Sequence, residues 1–145
     1  MTKVINQLLQ LQADAHALYV KIHNYHWNVT GMDFTPVHLK TEEIYTNMSV
    51  LYDDAAERII QLGAKPYLTI SALAKATKIK EEKRDTFKSK DVLKNIIADF
   101  EYLHKLFSKL SDEAEKAGDK ATGGFADDNV ALLEKELWML GSMLK

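Results

Sequence analysis

The sequence predicts an all-α protein: four long helices in a bundle, with a short extra helix in the connection between the second and the third. Three observations predict it. Apolar residues recur in alternating steps of three and four over four long stretches, the spacing of a helix that buries one stripe of its surface. Gly31, Pro36, Gly63, Pro66 and Gly118 fall at the breaks between those stretches. No segment alternates apolar and polar residues with the period of a strand, and no repeat or low-complexity tract competes with the helical pattern. At 145 residues the chain is expected to form one domain, 1–145, around a single core.

Helix A is predicted from about Thr2 to Val29, with Val4, Leu8, Leu11, Ala15, Leu18 and Ile22 as its seam. Gly31 is placed to end it, and Thr35 and Pro36 read as an N-cap followed by proline at the first helical position. Helix B then runs to Gly63 with Val37, Ile44, Met48, Leu51, Ala55, Ile59 and Leu62 inward. The connector from Lys65 to Lys88, roughly two dozen residues, is too long for an ordinary bundle loop and carries a short helix around Ser71 to Lys78. Helix C begins at a Ser89 cap with Asp91 in its first turn, buries Leu93, Ile96, Phe100, Leu103, Phe107, Leu110 and Ala114, and ends at Gly118. Helix D is carried by Val130, Leu133, Leu137, Leu140 and Leu144, and its first turns are expected to be irregular, because Gly123 and Gly124 each cost roughly 1 kcal/mol relative to alanine. Phe100, Phe107 and Trp138 sit at seam-like spacings and are expected in the core.

Composition narrows the function. With 19 Lys and Arg against 21 Asp and Glu, the net charge of -2 gives no general attraction for nucleic acid phosphates. The chain has no cysteine, so any bound metal is held by nitrogen and oxygen. No stretch reaches about 18 continuous apolar residues, and MTKVINQLLQLQADAHALYVK carries charges through its apolar pattern, so neither a membrane span nor a signal peptide is expected and the expected location is the cytoplasm.

The most informative feature is a stripe of metal-binding side chains on helix B. At about 100° per residue, with His38 at zero, Glu42 falls near 40°, Asp53 near 60° and Glu57 near 100°, while the apolar residues fall between about 220° and 300°. The stripe therefore faces away from the chain's own core. His38 and Asp53 are about 22 Å apart along the axis, whereas metal ligands sit roughly 2 Å from the ion, so one chain cannot close the site. An antiparallel second copy can. His38 and Glu57 are equally far from a point between residues 47 and 48, as are Glu42 and Asp53, so a two-fold axis there sets each opposite its counterpart. Thr46 and Ser49 share this symmetry and are small enough for close approach, as an isologous interface requires. His26 lies five residues before Gly31 and His38 three after Thr35, so the A–B turn brings both histidines to one end of the bundle.

The segment HNYHWNVTGMDFTPVH, followed by EEIY and DDAAERI, resembles the signature of the Dps family of miniferritins, closest to its bacterial neutrophil-activating-protein branch, and the resemblance runs over essentially the whole chain. It implies a ferritin-like four-helix bundle and a homododecameric shell built from two-fold dimers. Inter-subunit ferroxidase centres are implied with His26, His38 and Glu42 from one chain and Asp53 and Glu57 from its mate. His26, His38, Asp53 and Glu57 are the catalytic set, and position 42 is Glu where some members carry Asp. The implied cargo is iron, with room for two iron positions per centre, and Zn(II) or another divalent metal can substitute. The implied activity is oxidation of Fe(II), preferably by hydrogen peroxide, with ferric oxyhydroxide stored inside as a defence against oxidative damage. Trp27 would lie near the centre, packing it or taking up oxidising equivalents. Asp119, Asp127 and Asp128 fall where the family's iron-entry pores are lined, though capping of helix D is the plain alternative.

Other readings stay open. The family name suggests DNA binding, but only Met1, Thr2 and Lys3 precede the first seam residue, Val4, so no basic tail is expected to support it. The branch suggests an immune-stimulating role, and a zinc-bound structural dimer would use the same donors. His23 is expected to hydrogen bond or to contact a subunit rather than to ligate, His16 and His104 are read as non-ligands, and Arg58 is expected either to pair with an acid such as Asp54 or to form an exposed salt bridge. No context for a heme ligand stands out.

Overall fold

The computed structural model describes all 145 residues. Four long helices, α1 (Thr2–Asn28), α2 (Phe34–Gln61), α4 (Ser89–Lys116) and α5 (Lys120–Leu144), form the bundle, and the short α3 (Ile70–Ala76) lies in the connector. Helix α1 pairs with α2 and α4 with α5, each as an antiparallel hairpin, and the hairpins meet chiefly through α1 and α4. Every predicted seam residue of α1 and α4 is buried. Those of α2 are buried except Leu62, which with Val130, Leu137 and Leu144 of α5 packs at the edge of the same core. Full burial of each such side chain contributes roughly 1.5–3 kcal/mol, so the periodicity that predicts the helices also accounts for their assembly.

The breaks are set by local chemistry. Gly31, Gly63 and Gly118 take φ of +119°, +79° and +70°, a region open to glycine at little steric cost. Helix α2 starts two residues earlier than Thr35 and Pro36 suggest, with Asp33 at the N-cap. Pro36 is tolerated because its missing N–H lies in the first turn, where no carbonyl awaits it. Ser89 is the first residue of α4 rather than its cap. Helix α5 is regular through Gly123 and Gly124, contrary to expectation: the Asp119 carboxylate accepts the Thr122 N–H at 3.0 Å, a cap worth about 1 kcal/mol that offsets about half of the glycines' cost. Trp138 is also not core. It lies one residue past Leu137, about 100° off the seam, and is 68% exposed.

The connector is ordered by polar contacts that periodicity does not reveal. Asp14 is fully buried on α1, and its carboxylate accepts hydrogen bonds from the Tyr102 hydroxyl at 2.6 Å, the Thr77 hydroxyl at 2.8 Å, the Lys78 N–H at 2.9 Å and Gln10 at 3.1 Å. The Gln12 amide exchanges two 2.9 Å hydrogen bonds with the backbone of Tyr67, in the manner of a short strand pairing. Farther on, Val29–Thr30 (β1) pairs in parallel with Phe87–Lys88 (β2), an element that the helical periodicity does not announce. Phe87 is buried edge-on against Tyr25 at 4.9 Å, so the connector's end clamps the α1–α2 turn.

Candidate metal centre

That turn joins the two histidines expected to bind metal. His26, in the last turn of α1, is buried, and His38, in the second turn of α2, is half-buried. Their rings stack with centroids 3.6 Å apart and planes at 17°. Each Nδ1 lies 2.8 Å from the other's backbone carbonyl. A carbonyl oxygen only accepts, so each Nδ1 carries a hydrogen and donates it, which leaves each neutral Nε2 with a free lone pair. This is the arrangement by which a protein fixes tautomer and ring orientation for metal ligation. The bond from His38 also satisfies one of the α1 carbonyls left over at the helix end.

Thr41 completes the arrangement. Its Oγ1 lies 3.1 Å from His26 Nδ1, accepting a share of that hydrogen, and donates to the Val37 and His38 carbonyls. A buried threonine one turn after His38 was the available signal for it, overlooked because it lies on the apolar side of α2. Phe34 stacks on the outer face of His38 at 4.9 Å, and Tyr45 meets His26 edge-on at 5.1 Å. Trp27, expected beside the centre, is 67% exposed on the single chain, with its ring 5.4 Å from that of His23.

The acids lie elsewhere. Asp53, Asp54 and Glu57 are all exposed, with one carboxylate oxygen from each within 4.8 Å of the others. No other group of three or more His, Asp or Glu side chains in the chain meets that spacing, and this one contains no histidine. Asp54 joins the pair read from the sequence, being next to Asp53 and one turn before Glu57. Glu42 is exposed between the two groups on the same helix. The chain thus presents an imidazole pair at the α1–α2 turn and a carboxylate cluster farther along α2, with His38 and Asp53 separated by about 22 Å of helix.

Arg58 is not paired with Asp54. Its guanidinium reaches Asp119 at 2.7 Å and Thr122 at 2.8 Å. Burial pushes the Asp119 carboxyl up, but hydrogen bonds from the Thr122 hydroxyl and N–H, with Arg58, hold it below the usual carboxylate range. Asp119 is buried and engaged as a helix cap, whereas Asp127, which accepts from Ser111 at 2.6 Å, and Asp128 are exposed. His23 donates from Nδ1 to the Tyr19 carbonyl at 2.6 Å, and His104 lies 3.1 Å from Glu134. Lys40, buried on α2, pairs with Glu136 of α5 at 2.7 Å.

An antiparallel bundle with a crossover connector, displaying histidine and carboxylate donors on one helix, is the architecture of ferritin-like proteins. Residues 5–145 match the family described as ferritin-like domain. The chain is 50% identical over 142 residues to the DNA protection during starvation protein of Helicobacter pylori, covering 98% of this chain and 99% of that one. It is 40% identical over 148 residues to antigen TpF1 of Treponema pallidum, covering 98% and 80%. Helicobacter cinaedi CAIP, a solved structure, matches with a TM-score of 0.96 at 50% identity, over 98% of this chain and 99% of that one. The Dps protein of Vibrio cholerae O1, described as a member of a broad superfamily of ferritin-like diiron-carboxylate proteins, matches with a TM-score of 0.94 at 33% identity, over 99% and 90%. The chain belongs to the ferritin-like family and, within it, to the Dps proteins.

Proposed function

We propose that this protein oxidises Fe(II) at centres shared by two copies across a two-fold axis and stores the ferric product inside a shell of twelve. The observation that carries the reading is the reciprocal pair of Nδ1 hydrogen bonds between His26 and His38, which frees both Nε2 atoms for metal while the chain's acid cluster lies far down the same helix. In the assembled centre His26, His38 and Glu42 come from one copy, and Asp53 and Glu57 from the other. Asp54 adds negative charge beside them. Imidazole and carboxylate donors without thiolate suit both Fe(II) and the harder Fe(III), and carboxylates can bridge a second iron.

Iron is the substrate and cargo, and hydrogen peroxide is the proposed oxidant. The chain's work is to hold Fe(II) on neutral imidazoles, compensate charge with carboxylates and leave coordination positions open. Exposed Asp127 and Asp128 are the candidates for drawing Fe(II) towards a pore, with Asp119 serving as the cap behind them. The name of the Helicobacter pylori relative supports a protective role towards DNA, reached here by consuming iron and peroxide together rather than through overall positive charge. No helix is long and apolar enough to cross a membrane. The test is anaerobic Fe(II) titration of the assembled protein followed by peroxide, with two irons oxidised for each peroxide consumed. Alanine at His26, His38, Asp53 or Glu57 abolishes rapid oxidation, and unchanged rates in all four variants would reject the site.

A further inference from the structure

The two candidate imidazoles are joined by a turn that does little to hold itself. Every residue from Thr30 to Pro36 is exposed, Gly31 bends at a φ of +119°, and Asp33 caps α2 without a side-chain hydrogen bond. Yet both of the Nδ1–carbonyl bonds that set the spacing of the His26 and His38 rings span this turn. The restraint comes from outside, from residues 82–88 at the end of the connector, which grip α1 on both sides of His26. Before it, the Asn24 amide donates to the Glu82 and Arg84 carbonyls at 3.2 and 2.9 Å, and the Tyr25 hydroxyl donates to the Glu82 carboxylate at 3.2 Å. After it, Val29 and Thr30 pair with Phe87 and Lys88. Phe87 is 2% exposed and anchors the segment: its ring meets Tyr25 edge-on and lies under the Arg84 guanidinium at 5.2 Å. Lys88 then leads directly into α4 at Ser89, which ties the segment to the other hairpin. None of these contacts involves the side chain of a candidate ligand.

We propose that Phe87 is a positioning residue for the metal centre: by holding residues 82–88 against α1 it sets the spacing of the imidazole pair, and metal on that pair in return tightens the connector. The inference rests on the reading of His26 and His38 as ligands. An imidazole ligates along its Nε2 lone pair, and a ligand set works only when held within about 0.5 Å of its productive geometry, so a turn free to drift spoils the site. Such coupling is reciprocal: the factor by which closure of the connector raises metal affinity is the factor by which bound metal favours closure.

The test uses assembled particles and two ions whose binding is read without any oxidation, Co(II) under anaerobic conditions, by its visible absorption, and Zn(II). Phe87→Ala weakens Co(II) binding about ten-fold, the lower end of what partners outside the ligand set cost, and Phe87→Leu, which keeps most of the apolar volume, restores it. Phe107→Ala removes an equally buried ring from farther along α4 and leaves Co(II) affinity unchanged. A second arm needs no change at Phe87: in hydrogen exchange followed by mass spectrometry, saturating Zn(II) slows residues 82–88 of the wild type by the same factor, and His38→Ala abolishes the slowing. Wild-type Co(II) affinity in Phe87→Ala, equal weakening by Phe107→Ala, or exchange at 82–88 indifferent to Zn(II) overturns the positioning role and leaves the ferroxidase reading standing. Coupling intact in a protein that binds both ions at His26 and His38 but does not oxidise Fe(II) overturns the ferroxidase reading and leaves the positioning role in place.

Discussion

Two defective chains should repair each other. His38 and Asp53 lie about 22 Å apart on one straight helix and a metal–ligand bond is roughly 2 Å, so a centre that uses both must take them from different copies. His38→Ala spoils the imidazole half contributed by its own chain, and Asp53→Ala spoils the acid half that its chain lends to the other centre. Each variant alone loses at least about 100-fold in rapid Fe(II) oxidation, since even outer partners of metal ligands cost 10–100-fold. In a mixed dimer one centre combines the intact His38 with the intact Asp53, and the other carries both defects. Random pairing of equal amounts makes half the dimers mixed, so about a quarter of wild-type activity returns. The assay is stopped-flow ferroxidation of particles from chains co-expressed with two affinity tags and purified through both. Mixed particles no faster than either parent would refute the shared centre, because a site lying within one chain cannot be restored by a neighbour.

Three further outcomes follow from the same geometry. Thr41→Val removes the hydroxyl that accepts from His26 Nδ1, and the centre should bind Fe(II) about ten-fold more weakly in anaerobic calorimetry with the fold unchanged. Asp14→Ala strands the Tyr102 and Thr77 hydroxyls and the Lys78 N–H, and should cost about 3 kcal/mol in denaturant unfolding while leaving helix content intact in circular dichroism. The Asp119 carboxyl, held below its ordinary range despite burial, contributes stability that is complete above the unfolded value of about 3.9 and is lost as pH falls through the folded value. Unfolding midpoints of the wild type should therefore drop with acid below about pH 4 by more than those of Asp119→Asn.

Much of the molecule is legible in the chain because helices that bury a stripe must repeat their apolar residues at the helical period. Val4 to Ile22, Val37 to Ile59 and Leu93 to Ala114 announce three helices, and the glycines with positive φ mark their ends. The same periodicity reveals the outward stripe of His38, Glu42, Asp53 and Glu57, since it assigns every residue an angle. Single caps were misplaced where competing residues stood side by side, as at Asp33 and Thr35, and Trp138 was misread because one residue of offset turns a side chain out of the seam. What periodicity cannot carry is contact between residues distant in sequence. That Asp119 binds Arg58, that Phe87 closes the turn between the histidines, and that Tyr45 rather than Trp27 touches His26 depend on how helices cross and how loops return. By itself the sequence determined the four helices, the direction each one faces and the outward turn of the His38, Glu42, Asp53 and Glu57 stripe, because all three follow from angle and rise along one axis. Only the tertiary structure decided which ring nitrogen of His26 and His38 is engaged and which is left free, because that rests on each ring meeting the other's carbonyl across the turn.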